Sequence, residues 1–172
     1  MTEETLKNMK SADLLNALMS DNTLAFEFDR LGLWQKFYAI SWNYLLKNQP
    51  HFIDKAKGYS HGWAGLLAIK PDLAQECKCW KEFDSLDWVD LLRFQPQFAN
   101  KCNKWEAFDG WNWRDLLKSQ PQFVDKYNKY DGWEKMDSEN WCKLLKSQPQ
   151  FQVYAVNHSP DSLLHYADKF NK

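Results

Sequence analysis

No apolar run in these 172 residues approaches the ~20 needed to cross a bilayer. A charge excess of either sign is also missing: 22 basic residues against 23 acidic leave a formal net charge of -1. Without a positive surplus, the simplest argument for a protein of nucleic acids or anionic membranes is lost. The amino terminus, Met1-Thr-Glu-Glu-Thr-Leu-Lys, opens on acids and lacks a basic-then-apolar secretory pattern. These absences predict a soluble, cytoplasmic protein with no membrane partner.

Signatures of chemistry are equally scarce. There is no Gly-x-Ser-x-Gly, no His-Glu-x-x-His and no glycine loop of the kind that cradles phosphate. His51, His61, His158 and His165 share no recurring position. The four cysteines, Cys77, Cys79, Cys102 and Cys142, need not be staples in a chain long enough to bury a core. Cys77-Lys78-Cys79 is too tightly spaced for a structural zinc site and lacks a second ligand pair. Cys77 and Cys102 instead fill the slot that Ala56 and Tyr127 occupy elsewhere, and are expected to act as small apolar residues. The sequence therefore predicts a non-enzyme with no catalytic residues, no metal and no cofactor.

Aromatic residues, with 10 Trp among them, are abundant, and repetition explains them. Trp42, Trp63, Trp88, Trp113 and Trp141 each precede a Leu-Leu pair by three residues and a proline by eight (Pro50, Pro71, Pro96, Pro121, Pro149). Two residues past each proline stands Phe52, Leu73, Phe98, Phe123 or Phe151, and the prolines lie 21, 25, 25 and 28 apart. Self-similarity at this period marks a repeat architecture. Trp, Leu and Leu at i, i+3 and i+4 share one face of a short helix. The residue before each Trp (Ser41, Gly62, Asp87, Asn112, Asn140) is of a type favoured at helix N-caps. Proline ends that helix and suits the first turn of a second one. Counted from proline, apolar residues at +2, +6 and +9 (Phe98, Cys102 and Trp105, for example) give the second helix a face, extended at +12 by Phe83, Phe108 and Trp133. Asp109-Gly110 is a plausible stop for one such helix.

Worn copies flank the array. Leu31, Trp34 and Phe37 reproduce the later part of the second-helix face, and Leu14-Leu15-Leu18-Met19 reads as a degenerate first helix. Ser159-Pro160 begins an expected final helix through about Phe170. Such terminal units serve as caps, because an ordinary repeat leaves one side exposed, and they are expected in a complete array. Units such as Trp88-Val-Asp-Leu-Leu-Arg-Phe-Gln-Pro-Gln-Phe98 resemble tandem repeats in large, uncharacterised bacterial proteins. The resemblance runs over roughly residues 34–151; it implies repeat architecture and a bacterial or phage origin, and brings no catalytic residue. The expected fold is all-α: a short α-solenoid of about five two-helix repeats in a single domain, 1–172, with 1–40 as amino-terminal cap, 41–151 as core repeats and 152–172 as carboxy-terminal cap. The 21-residue spacing between Pro50 and Pro71 is expected to kink it.

Nine of the ten Trp fall on assigned apolar faces, so core packing is expected rather than a stacking platform for sugars or bases. The tenth, Trp111, takes the slot that Leu86 fills before Trp88. Cations recur three residues before proline (Lys47, Arg93, Lys118, Lys146) and five after it (Lys101, Lys126). Equal slots align in a solenoid, so these six residues are the candidate binding stripe. The bland account is helix-end stabilisation: cations in the last turn offset the helix dipole, as Asp90 and Asp115 do in the first. Glutamines flanking the prolines are expected to bridge successive repeats with their amides. The expected function is a non-catalytic protein-interaction module acting on another protein or protein complex. A free-standing inhibitor or adaptor fits, such as a phage-encoded inhibitor of a host defence complex of the anti-CRISPR kind. Nucleic-acid binding along the basic stripe is the alternative.

Overall fold

A computed structural model describes residues 2–158, and every regular element among them is helical. In chain order these are α1 (Glu3–Asn8), α2 (Ser11–Ser20), α3 (Ala25–Leu31), α4 (Ala39–Asn48), α5 (Ile53–Ala56), α6 (Ser60–Leu67), α7 (Ser85–Phe94), α8 (Gly110–Ser119), α9 (Val124–Lys129), α10 (Gly132–Lys135), α11 (Ser138–Ser147) and α12 (Gln152–His158), with short 3-10 turns between. The helix expected after Ser159 lies outside the described residues. The chain divides into two compact units, Met1–Lys101 and Cys102–Lys172.

Each Trp-x-x-Leu-Leu segment forms a helix that begins three residues before its Trp, in α4, α6, α7, α8 and α11. The residues before the Trp are therefore not N-caps but occupy the third helical position. In α7 the cap is Asp84, whose carboxylate accepts from the Asp87 N–H while Asp87 accepts from the Asp84 N–H; Asp109 and Asn112 do the same in α8. Two capping-type residues three apart are the two ends of one reciprocal box. Asp109-Gly110 consequently starts α8 rather than stopping its predecessor, and Asp90 and Asp115 fall in the second turn, beyond the strongest part of the dipole.

The third-position residue has a second duty. Ser41 Oγ lies 3.1 Å from Ser11 Oγ, Asp87 accepts from His61 at 2.7 Å, and Asn140 accepts from Arg114 at 3.1 Å. All three are buried, and each finds a polar partner on an earlier helix, Asp87 while also completing the box that caps its own. The glutamine before proline supplies a further tie, as expected from its position. It closes each of the five Trp helices except α6, after which Lys70 stands before the proline in nearly the same non-helical conformation. Gln95 Nε2 donates to the Ala68 carbonyl at 3.0 Å, and Gln148 Nε2 to the Lys118 carbonyl at 2.7 Å. Gln97, Gln122 and Gln150 each donate to the glutamine two residues earlier, holding its amide in place.

The second element of each repeat is not one helix. It opens as a 3-10 turn on proline and breaks into short pieces, such as Pro96–Lys101 followed by Trp105–Ala107. Segments this short have little helical stability of their own, and aromatic packing fixes them instead. Trp34, Trp80, Trp105 and Trp133 stack on the Trp eight residues later at 5.3–5.7 Å, with interplanar angles of 7–21°. Phe52, Phe98 and Phe123 tilt against the first three of those rings. Phe37, Phe83, Phe108 and Met136 are buried five residues before the helix Trp. Counting back from the next Trp thus gives the register that counting forward from proline misplaces: Trp133 fills the Trp105 slot, not that of Phe108. The three extra residues of the last linker lie between Pro121 and Trp133, where α9 is followed by a left-handed Asp131 (φ 51°) just before α10.

Candidate functional site

The six stripe cations do not share one environment. Lys47, Arg93, Lys118 and Lys146 all stand in the last turn of their helices, where they offset the dipole. Lys47 Nζ lies 5.1 Å from the centre of the Phe94 ring, and Arg93 pairs with Asp90 at 3.7 Å. Lys101 and Lys126 cover core rings instead: Lys101 sits over Trp80 at 5.0 Å and Lys126 over Trp105 at 5.9 Å. In the first unit, then, Lys47 and Arg93 follow the helix ends while Lys101 shields the aromatic stack.

The second unit gathers charge into one place. α8 and α11 pack side by side, and their exposed faces enclose a groove of about 500 Å³. Lys118 and Asp115 come from α8; Lys143, Lys146 and Ser147 come from α11. Its apolar wall is Trp111, which is 49% exposed while Trp113 and Trp141 on the same two helices are fully buried. The guanidinium carbon of Arg114 is 4.3 Å from the Trp111 ring centre and Lys143 Nζ is 4.9 Å from it, so two cations lie over one indole. Arg114 is itself buried and held by Asp115 at 2.6 Å and by Asn140. Lys143 is tied to Glu139 on the exposed face of α11. Of the predicted residues, Lys118 and Lys146 belong to this groove; Trp111, Arg114 and Lys143 were not singled out as ligands. The detectable signal was Trp111 itself, the one Trp outside the assigned apolar faces.

A titratable link joins α6 and α7 in the first unit. His61 Nδ1 meets Asp87 Oδ1 at 2.7 Å, and Asp87 Oδ2 accepts from the Asp84 N–H. Ligand-type atoms of His61, Asp84 and Asp87 lie within 4.8 Å of one another, but both Asp87 oxygens are engaged, so the cluster reads as a helix-to-helix tie. The hydrogen bond to Asp87 raises the pKa of His61, against partial burial. Burial raises Asp87 in turn, against the pull of His61. Both groups hold their protons more tightly folded than unfolded. The stability they contribute is complete below their unfolded values and is lost as pH rises, through the acidic range for Asp87 and above about 6.5 for His61. Urea midpoints are accordingly expected to fall between about pH 6 and pH 8, and His61→Gln is expected to flatten that part of the curve.

Among the described residues no helix is long and apolar enough to cross a membrane. Comparison with protein-family models, with curated proteins and with solved structures finds no match.

Proposed function

We propose that this chain is a non-catalytic protein-interaction module, and that the groove between α8 and α11 takes an acidic segment of its partner. The observation that carries the reading is a groove lined by Arg114, Lys118, Lys143 and Lys146, two of which, Arg114 and Lys143, lie over a half-exposed Trp111. Cations positioned over an aromatic wall suit carboxylates flanked by apolar side chains, and Trp and Arg are the residues that most often dominate protein interfaces. A Trp ring already covered by Arg114 offers less open face to a nucleobase, which favours protein over nucleic acid. The architecture we propose behind it is a short α-solenoid. Its support is the recurrence, within each unit, of Trp helices packed on Trp helices and of the same glutamine-to-carbonyl bond. A free-standing inhibitor or adaptor of a bacterial complex, a phage-encoded anti-CRISPR protein included, is the role we infer from that size and form.

The test is capture of partners from host lysate by the tagged chain, with and without nuclease, comparing wild type with Lys118→Glu/Lys146→Glu. Stoichiometric capture of one protein that survives nuclease and is lost in the double variant is the expected result. Nuclease-sensitive capture that falls steeply with salt would replace the reading with nucleic-acid binding. Capture unchanged by the double variant would remove the groove from the interface.

A further inference from the structure

Two nucleophilic side chains stand apart from the groove. Cys77 and Cys79 bring their sulfurs to 3.7 Å, within hydrogen-bonding contact, on a stretch of the first unit with no regular helix. Cys77 is buried, whereas Cys79 is partly exposed. Cys79 lines a cleft of about 360 Å³ together with Lys57, Tyr59, Trp63, Glu76 and Glu82. Residues two apart are held within about 7 Å of each other by the chain, the outer limit of the Cα separation that a disulfide bridges. Residues 77–79 sit in neither helix nor turn, so bringing the sulfurs together breaks no helical ladder. No other repeat has this arrangement: Cys102, in the slot equivalent to Cys77, is followed two residues later by Lys104, and burial pushes its thiol up to about 12.

We propose that Cys77 and Cys79 form a thiol–disulfide exchange site, which reacts with a low-molecular-weight disulfide and closes to an intramolecular disulfide. Either sulfur can donate to the other, and their hydrogen bond draws the Cys77 thiol down while it and burial push Cys79 up. When the pair gives up the first of its two protons to solvent, the negative charge is favoured on the inner sulfur and the second proton lies between the two. Cys79, facing the cleft, attacks one sulfur of the incoming disulfide as Cys77 takes its proton; the S–S bond of the reagent breaks and one thiolate leaves. Cys77 then passes its proton to the departing thiolate and attacks the Cys79 sulfur; the bond from Cys79 to the reagent's sulfur breaks as the internal bond forms, and the second thiolate leaves and takes a proton from solvent. The protein loses two electrons and its two thiol hydrogens, and the reagent is reduced to two thiols. Attack by the thiolate form through a mixed disulfide is the general route of such exchange.

The full chain, equilibrated with oxidised glutathione, acid-quenched and alkylated, tests this by intact mass and peptide mapping. The expected product has lost two hydrogens, blocks two of its four thiols, carries no glutathione, and links Cys77 to Cys79 in a bond reversed by dithiothreitol. Cys77→Ser is expected to keep glutathione on Cys79, because the resolving sulfur is gone. Four alkylated thiols after equilibration, a mixed disulfide that persists in wild type, or a bond involving Cys102 or Cys142 would each overturn the proposal. The wild-type peptide map decides it even if a variant fails to fold.

Discussion

Trp113→Ala is expected to lower the unfolding free energy by about 3–5 kcal/mol, and Trp88→Ala to do the same. Both side chains are fully buried. Trp113 stacks on Trp105 at 5.7 Å and also meets Phe108 at 5.1 Å and Tyr127 at 5.2 Å. Trp88 stacks on Trp80 at 5.7 Å and meets Phe83 at 5.3 Å. Removing either indole therefore empties a site walled by rigid rings, which collapse poorly into a cavity, and removes ring pairs worth about 0.5–1.5 kcal/mol each beyond their buried area. Trp111→Ala is the internal control. Its ring is half exposed and bounded by cations, so the loss is expected to stay near about 0.5 kcal/mol, typical of surface substitutions. Urea unfolding followed by far-ultraviolet circular dichroism reads all three. A large loss for Trp111→Ala with Trp113→Ala near wild type would exchange their roles and make Trp113 the binding surface.

Most of the core was legible, because its landmarks lie within one helix or one linker. The i, i+3, i+4 spacing of Trp and the Leu pair identifies the buried face without any tertiary information, and the buried Trp42, Leu45 and Leu46 follow it. Helix starts were less legible, since Asp84 and Asp87 are equally good caps and only reciprocal hydrogen bonding orders them. The second element was harder still. Spacings of three and four fit both an α-helix and a string of 3-10 turns, and the choice rests on ring stacking between Trp80 and Trp88 or Trp105 and Trp113. The groove was half visible. Lys118 and Lys146 were found because their slot recurs, but Arg114 and Lys143 hold Trp111 through contacts peculiar to α8 and α11, and a repeat pattern erases what is peculiar to one copy. The sulfur pair was visible but weighed only as a zinc site: Cys77 was then read by its slot, and Cys79 has no counterpart in the other repeats.

Gly65→Ala is expected to destabilise the protein by about 2 kcal/mol, although Ala is the better helix former by about 1 kcal/mol. Gly65 lies inside α6, where a Cβ would come within 2.5 Å of the Ala39 carbonyl oxygen, 2.7 Å of Trp42 Cβ and 2.9 Å of the Asn43 nitrogen. Two of those atoms are backbone of α4, so no rotamer change relieves the collision and the helices must part. Forced separation of a packed interface costs about 3 kcal/mol at the upper end of the usual overpacking range, and the propensity gain offsets only a third of it. The contact lies in the 21-residue repeat, whose four missing residues fall between Pro50 and Trp63. α6 is the shortest of the five Trp helices and its small residues Gly62, Ala64 and Gly65 are all buried. Such a thin helix lets α4 and α7 meet past it, which brings Lys47 over Phe94. Denaturant unfolding checks the prediction: a stabilised Gly65→Ala would mean that α4 and α6 are not in close contact. A loss of the expected size would establish Gly65 as the residue that sets how closely these two helices pack.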